Sequence, residues 1–578
     1  MDKKSYCIAW LMLLFVGSLH AQYRTTTYCN PLNLDYTYPF HNSHLGKSYR
    51  SGADPAVVEF RGEYYMFVTR SWGYWHSKDL LNWDFITPEK WYFEGCNAPA
   101  AHNYKDSVLY VCGNPSGAMS ILYTDNPKRG DWKAVPSVLH DLQDPALFID
   151  DDERAYMYWG SSNRWPIRGK ELDMKNKFLP IAKKPDSLLF LRPDIHGWER
   201  FGENHTSDIK PFIEGAWMTK HNGKYYLQYA APGTQFNVYG DGVYVGKSPL
   251  GPFEYAAHNP FCYKPGGFAT GAGHGSTVCG PGGIYWHFGT IHLSINYKFE
   301  RRLCMFPTFF DEDGAMYSDT YFGDYPHYSP DQVSRQTTSG GFRGWMLLSY
   351  GKPVKASPQL ESYPVENVTD ENLKTFWVAE KNDDKQWVEI DLEEVSDVYA
   401  LQLNFFDYEE TGFWGRMPNL RQRYLVEASV DGARWRVLVD YRNSFRDAPH
   451  NYIELDQPIE ARYIRYRHHY VPGKNLAMGA IRVFGLGRGK KPATVKGFTV
   501  VREADERNAR ISWKAVKGAQ GYNVLWGVAL DKLYSSWMVY GDNSLDLRAL
   551  TVGQKYYFAI EAFNENGISQ RVFLREAH

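Results

Sequence analysis

"DPALFIDDDERAYMYWGSS", residues 144–162, opens on a carboxylate, runs through an apolar strand, turns at an acidic cluster and returns as a strand that is almost wholly aromatic. The same phrase stands at residues 54–69 as "DPAVVEFRGEYYMFVT". It recurs at 214–231 as "EGAWMTKHNGKYYLQYAA", where Glu214 leads and His-Asn-Gly is a strong hairpin turn. Fainter copies are "APAAHNYKDSVLYVCG" from Ala98 and "GHGSTVCGPGGIYWHFG", in which His274 takes the lead position. From the lead residue to the Tyr of the second strand the spacing is 10, 12, 12, 11 and 11 residues in chain order. Self-similarity of this kind marks a repeat architecture.

One such hairpin buries only one face, and starts at 54, 98, 144, 214 and 274 leave room for the four strands of a propeller blade. Residues 22–340 are therefore expected to form a five-bladed β-propeller, whose innermost strands bring Asp54, Ala98, Asp144, Glu214 and His274 into one funnel. "HSKDLLNWDF" (76–85), "YTDNPKRGDWK" (123–133) and "GKSPLGPFEY" (246–255) each place a Ser or Thr, a turn and an aromatic where an outer strand belongs. The long step from Asp144 to Glu214 contains "RPDIHGWERFGENHTSD" (192–208), expected to be an inserted loop over one face of the ring and a place for substrate contacts.

The whole chain fits this all-β reading. Its 578 residues correspond to roughly three domains, and 43 Tyr, 32 Phe, 19 Trp and 50 Gly favour strands and turns over long helices. With 64 basic and 66 acidic side chains the net charge is −2, so no field gathers polyanions and nucleic acid is excluded as the expected partner. Residues 1–21 carry Lys3 and Lys4, then "IAWLMLLFVG", then "SLHA", the order of a cleavable secretory signal, so an exported protein beginning near Gln22 is expected. No other stretch is suited to cross a membrane. Beyond Cys7, the six cysteines are too dilute for a disulfide scaffold and lack C-x-x-C metal spacing, although an oxidising compartment allows one or two bridges.

Three acids at one register of a repeat carry chemistry that a lone Asp-Pro turn does not, the alternative being that they tie strand ends to backbone N–H groups. Carboxylates crowded into a partly desolvated site resist simultaneous ionisation, so one stays protonated while another stays charged. Those are the tools of glycoside hydrolysis: an acid for the leaving oxygen and a base for water.

The two Asp-Pro-Ala openings, "EGAW" before a Tyr-Tyr strand and "GAGHGS" (271–276) resemble glycoside hydrolase family 43, a family of five-bladed, inverting enzymes. The resemblance implies Asp54 as general base, Glu214 as general acid and Asp144 as the neighbour that tunes the pKa of Glu214 and orients it. It places His274 on the axis, beside a structural, calcium-like cation, with no cofactor required for the chemistry. In "RRLCMFP" (301–307) it points to Arg302, in preference to Arg301, as the contact for sugar hydroxyls. Trp72, Trp75 and Trp159 follow aromatic strands and are candidates for a stacking floor, with blade packing as the alternative. Many family members carry Trp-Ala-Pro where this chain has Asn97-Ala98-Pro99, so an aromatic wall of the pocket is missing or supplied from elsewhere. The implied activity is exo-acting release of arabinofuranosyl, xylosyl or galactosyl units from plant polysaccharide; the alternative is a non-catalytic glycan-binding propeller.

Behind the propeller, residues 350–487 resemble a discoidin-type β-sandwich, a fold used by carbohydrate-binding modules, through Asp-Glu-Asn, Thr-x-Trp, Trp-Val-x-Ile-Asp-Leu and a final Arg-Tyr-Ile-Arg. Its candidate sugar loops are "FDYEETGFWGRMPN" (406–419), with Trp414 as a stacking aromatic, and "HHYVPGKNLA" (468–477). Bracing the propeller is the alternative role. After the hinge "GLGRGKKP", residues 493–578 resemble a fibronectin type III domain, with its strand B Trp and Leu-x-x-Gly-x-x-Tyr-Tyr-Phe corner, and are expected to act as a spacer.

Overall fold

A computed structural model of the protein describes residues 26–39, 46–89, 96–114, 118–140, 142–182, 186–333 and 340–574. The proposed secretory signal lies outside the described residues. Among those described the fold is β throughout: there is no α-helix, only five short 3₁₀ turns, and no helix long and apolar enough to cross a membrane.

The N-terminal part is a set of antiparallel sheets, each led by one copy of the repeated phrase. The first runs Ala56–Phe60, Glu63–Phe67, Tyr74–Ser77 and Trp83–Ile86. The sheets that follow are led by Asn97–Tyr104, Ala146–Ile149, Glu214–His221 and Gly273–Cys279. Local sequence fixes the hairpins. Phe60 pairs with Glu63 across Arg61-Gly62, whose φ values of 55° and 76° make the two-residue turn that matches strand twist. Asn222-Gly223 repeats this between His221 and Lys224, with φ of 47° and 74°.

Side-chain hydrogen bonds link the sheets in a cycle. The Ala98 N–H donates to Thr69 Oγ1 (2.8 Å), the Ile149 N–H to His102 Nε2 (3.3 Å), and Tyr225 Oη to Asp150 Oδ2 (2.5 Å). Gln228 Nε2 donates to Thr277 Oγ1 (2.9 Å), and the Val57 N–H returns to Ser276 Oγ (2.8 Å), joining the last sheet to the first. The five leading strands are neighbours in the same cyclic order, which puts their N-terminal ends around one axis. The described cysteines are all free thiols, buried except for Cys279.

The second unit is a sandwich whose long strands Trp387–Phe405 and His450–Tyr470 pair with two register shifts. Those irregularities bend the strands around a core that includes Trp377, Leu401, Tyr424 and Ile481. The C-terminal unit has a three-stranded sheet (Lys496–Arg502, Ala509–Lys514, Ser544–Leu547) and a second sheet built on Gly521–Gly527, Ser535–Tyr540 and Tyr557–Asn564.

The C-terminal unit does not act as a spacer. It is docked on the insertion that the sequence placed over the ring. The Gly197 N–H donates to Leu550 O (2.8 Å), the Val552 N–H to Ile195 O (2.9 Å), and Arg200 reaches Asn508 Oδ1 (2.6 Å) and Arg548 O (2.8 Å). Trp198 is fully buried and His196 stacks on Tyr255 at 3.7 Å, so the insertion is a brace and lines no part of the acid-bearing cavity. Its expected substrate contacts are thereby corrected.

A second junction is polar. Arg482, in the sandwich, is buried and forked onto Glu371 (2.6 and 3.0 Å), and also donates to Asp324 O (2.6 Å) and Gln402 Oε1 (2.9 Å). Replacing it leaves Glu371 as a buried, uncompensated charge, which costs about 3–5 kcal/mol. Arg482→Ala is therefore expected to lower the thermal unfolding midpoint strongly, whereas Arg434→Ala, which removes a 92% exposed side chain from its pair with Asp431, leaves it in place. Equal midpoints for both variants would contradict this account of the junction.

Candidate active site

The repeat sets its lead residues by backbone strain. Asp54, Ala98, Asp144 and His274 all have positive φ, at 56°, 42°, 49° and 48°, a region that residues with a Cβ rarely enter. In the fourth sheet the positive φ, 66°, belongs to Gly215, and Glu214 precedes it. Pairing shows why. Glu214 faces Ala230 and Trp217 faces Gln228, so an extra residue bulges between them, as it does between Gly273 and Ser276. Glu214 is thus one step out of register with the other lead residues, a correction to the alignment read from sequence. Gly215 also allows a close approach: a Cβ there would stand 2.9 Å from His274 Cγ and 3.1 Å from Ala230 Cβ.

The strand ends enclose a cavity of about 320 Å³ lined by Asp54, Asp144, Glu214, His274 and Arg301, with Tyr49, Tyr297 and Phe299 among the other walls. His274 stands at the centre, its Nδ1 3.4 Å from Asp54 Oδ1 and 3.9 Å from Asp144 Oδ2. One donor atom from each of Asp144, Glu214 and His274 lies within 4.8 Å of the others. The imidazole is aimed by its own backbone, because the His274 and Gly275 N–H groups donate to the buried Asp241 carboxylate at 2.7 and 2.9 Å.

The acids have different surroundings. Asp54 accepts a hydrogen bond from Thr69 Oγ1 (2.6 Å) and faces Arg301 Nη1 (3.3 Å). Burial pushes its pKa upward, but Arg301, His274 and the Thr69 hydrogen bond outweigh that and hold it below the usual carboxylate value. Asp144 has the His274 imidazole at 3.9 Å and the Ser161 hydroxyl, without a guanidinium of its own. Burial, with the neighbouring charges of Glu214 and Asp54, raises it to about 7 against the pull of His274. Glu214 accepts from Tyr239 Oη (2.6 Å) and Ser161 Oγ (3.1 Å), which fix its carboxylate. His274 is raised: burial favours its neutral form, but the four acids Asp54, Asp144, Glu214 and Asp241 overcome it.

Other expected contacts are not brought together here. Arg302 faces away from the cavity, with Nε against His450 Nε2 (2.8 Å) and Nη1 on Arg50 O (2.7 Å). Neighbours in a strand project to opposite sides, and the cavity side falls to Arg301. Trp75 is buried, donating to Asp35 Oδ1 (2.7 Å), and Trp159 packs in the core of the third and fourth sheets. Trp72 lines a different cleft, against Trp414. None of the three forms a floor for the acids; blade packing takes Trp75 and Trp159. Asn97 does line the cavity and accepts from Arg70 Nε (2.7 Å), so a polar pair stands where an aromatic wall was in question. Tyr239 and Asp241 were missed because they lie outside the repeated phrase, and Thr69 and Ser161 because they stand at the tail of two of its copies, where only the lead residues were weighed.

Asp144 holds its proton to about pH 7 when folded, against 3.8 for an ordinary Asp. Across that window the folded chain binds the extra proton, so this group makes stability fall as pH rises. Asp144→Asn is expected to lack that part of the decline when urea unfolding midpoints are compared at about pH 4 and about pH 7.5. An unchanged slope would contradict the assignment. Gly215→Ala, forced into strain and onto His274, is expected to lose about 1–3 kcal/mol of stability by the same measurement.

Residues 49–316 match the family model described as glycosyl hydrolases family 43, and residues 353–479 match that of the F5/8 type C domain. Among curated proteins, the chain is 33% identical over 202 residues to a "Beta-xylosidase" of Xylanibacter ruminicola, covering 31% of this chain and 57% of that one. It is 25% identical over 331 residues to an "Arabinoxylan arabinofuranohydrolase" of Bacillus subtilis (strain 168), covering 46% and 60%. The chain thus spans less than two thirds of the length of either relative. Among solved structures, a thermostable family-43 glycoside hydrolase aligns over 53% of this chain and 99% of its own, at 21% identity and a TM-score of 0.43. The chain therefore carries a family 43 glycosyl hydrolase domain followed by a discoidin-like F5/8 type C domain.

Proposed function

We propose that this chain is an exported, exo-acting glycoside hydrolase of inverting mechanism, built on a five-bladed β-propeller with a discoidin-like and a fibronectin type III-like module behind it. The observation that carries this reading is the split in acidity within one cavity: Asp54 is held low by Arg301 and His274, while Asp144, beside Glu214, keeps a proton to about pH 7. Groups whose surroundings push their pKa values apart supply an acid and a base at one pH.

In the proposed reaction Asp54 takes a proton from a water whose oxygen forms a bond to the anomeric carbon. The glycosidic carbon–oxygen bond breaks at the opposite face, and Glu214 gives its proton to the leaving oxygen. One displacement inverts the anomeric centre. Ser161 holds the Glu214 carboxyl at 3.1 Å, and Asp144 stands beside it as the residue proposed to orient it. Arg301 and Arg70 are placed to donate to sugar hydroxyls at the wall.

The small volume of the cavity, about 320 Å³, supports removal of single terminal units. The names of the relatives support a pentose, xylosyl or arabinofuranosyl, and a third relative, named as a galactofuranosidase, keeps galactosyl within the proposal. Asp144, Glu214 and His274 bring one donor atom each within 4.8 Å of the others, but Glu214 must keep its proton for the leaving oxygen and Asp144 holds one to about pH 7, so a divalent cation would be held beside His274 through water and not by these three groups directly. Such an ion would hold the axis in shape, and no step runs through it.

Wild type is expected to release sugar from an aryl pentoside or arabinoxylan, with proton NMR showing the inverted anomer first. Asp54→Asn is expected to lose about 10²–10⁴-fold in kcat. Glu214→Gln should lose far less on aryl glycosides with acidic leaving groups than on polymer, because those groups depart without a proton. Retention of the anomer, or an Asp54→Asn enzyme as active as wild type, would overturn the proposal.

A further inference from the structure

The acid cavity is not the largest opening of the described surface. A cleft of about 1170 Å³ lies beside it, between the first sheet of the ring and the sandwich. Its ring-side wall carries Trp72, Trp83 and Phe85; its sandwich wall carries Trp414, Arg416 and Phe445. Trp414 is 58% exposed and Phe445 77% exposed, unusual for aromatics of this size unless something covers them.

Cleft and cavity share a partition. Arg70 lines the cavity and Trp72 the cleft, and the turn joining them is held with positive φ at both residues, 49° and 65°. Gly415 of the sandwich loop is locked to the ring by paired backbone bonds with Tyr38 (3.0 and 2.7 Å), and a Cβ on it would meet Trp72 at 3.0 Å. The loop therefore sits at the mouth region as a fixed part of the surface.

The lining chemistry selects the ligand. Arg416, Arg421 and Arg446 face Asp35, Asp84 and Asp447, so the cleft is electrically balanced and does not favour a polyanion. Arg421 Nε and Asn33 Oδ1 are buried there without a hydrogen-bond partner among the described residues. Exposed aromatic faces and balanced charge suit a neutral, polyhydroxylated chain. Size agrees: about 320 Å³ is the low end of a small-molecule site, and about 1170 Å³ passes its upper end.

We propose that this cleft is a second glycan-binding site, which holds a run of neutral sugar units of the polymer while a terminal unit enters the acid cavity. Trp414 and Phe445 supply stacking faces and Arg421 donates to hydroxyls. This inference rests on the hydrolase reading for its choice of polymer, and its test separates the two.

The test uses the full chain with Glu214→Gln, so that bound polymer stays intact, in affinity electrophoresis against soluble arabinoxylan and, as a polyanion control, polygalacturonan. The parent is expected to be retarded by arabinoxylan only. Trp414→Ala and Phe445→Ala in the same background should each weaken that retardation by about fivefold. Phe445 is so exposed that its truncation leaves the fold in place, and near-UV circular dichroism checks this. Unaltered retardation in both variants, stronger retardation by polygalacturonan, or no retardation of the parent overturns the proposal. If wild type hydrolyses arabinoxylan and neither variant changes binding, the cleft fails and the hydrolase stands. If binding depends on Trp414 and Phe445 but no glycoside is cleaved, the hydrolase fails and the cleft stands.

Discussion

The constraint on which the rest depends is the burial of carboxylates that the ring forces together, sharpened by their mutual repulsion. Asp54, Asp144 and Glu214 come from segments far apart in sequence, yet all stand around one imidazole, in a cavity where burial penalises every charge. Such a cluster cannot ionise fully without compensation, and the compensation is uneven. His274 pulls on both aspartates and each has one hydroxyl partner, Thr69 or Ser161, but the Arg301 guanidinium is spent on Asp54 alone. The asymmetry of the surroundings turns three similar side chains into different reagents.

That asymmetry is imposed by the backbone. Strained lead residues recur from sheet to sheet, and Asp241 satisfies the N–H groups of the strained turn at His274. In the fourth sheet glycine takes the strain, leaving the preceding residue free to be a carboxylate in extended geometry. The bulge thus gives Glu214 a different approach to the axis from Asp54 and Asp144. The energy for this strain comes from elsewhere: the aromatic cores between sheets, and the polar junctions at which Arg482 and the 192–208 insertion bind the sandwich modules to the ring.

The sheets and their acids were legible because strand alternation, two-residue turns and repeat spacing are local, and the repeat carried them to one place. What stayed hidden depends on contacts between distant surfaces. Whether Arg301 or Arg302 turns to the axis is decided by strand phase at the edge of a sheet, and the sequence reading chose the wrong one; Arg302 instead serves the sandwich through His450. Tryptophan is equally at home in a core and on a sugar, so Trp75 and Trp159 could not be sorted from spacing. The insertion looked like a lid because length alone says that a segment leaves the sheet, not where it lands. Trp414 was named from its loop, but its neighbour across the cleft, Trp72, belongs to another domain.

The central claim is that one carboxyl group of this cavity stays protonated near neutrality because burial, reinforced by the neighbouring carboxylates, disfavours its charge. Infrared difference spectroscopy at about pH 6 reads it directly, by subtracting Asp144→Asn from wild type. Glu199, Glu300, Asp319 and Glu371, other buried carboxyls with raised pKa, are present in both proteins and cancel. The account predicts a protonated-carboxyl band in wild type that vanishes in the variant and fades from wild type as pH passes about 7. A spectrum with no such band, or one that titrates near the ordinary Asp value, would contradict it.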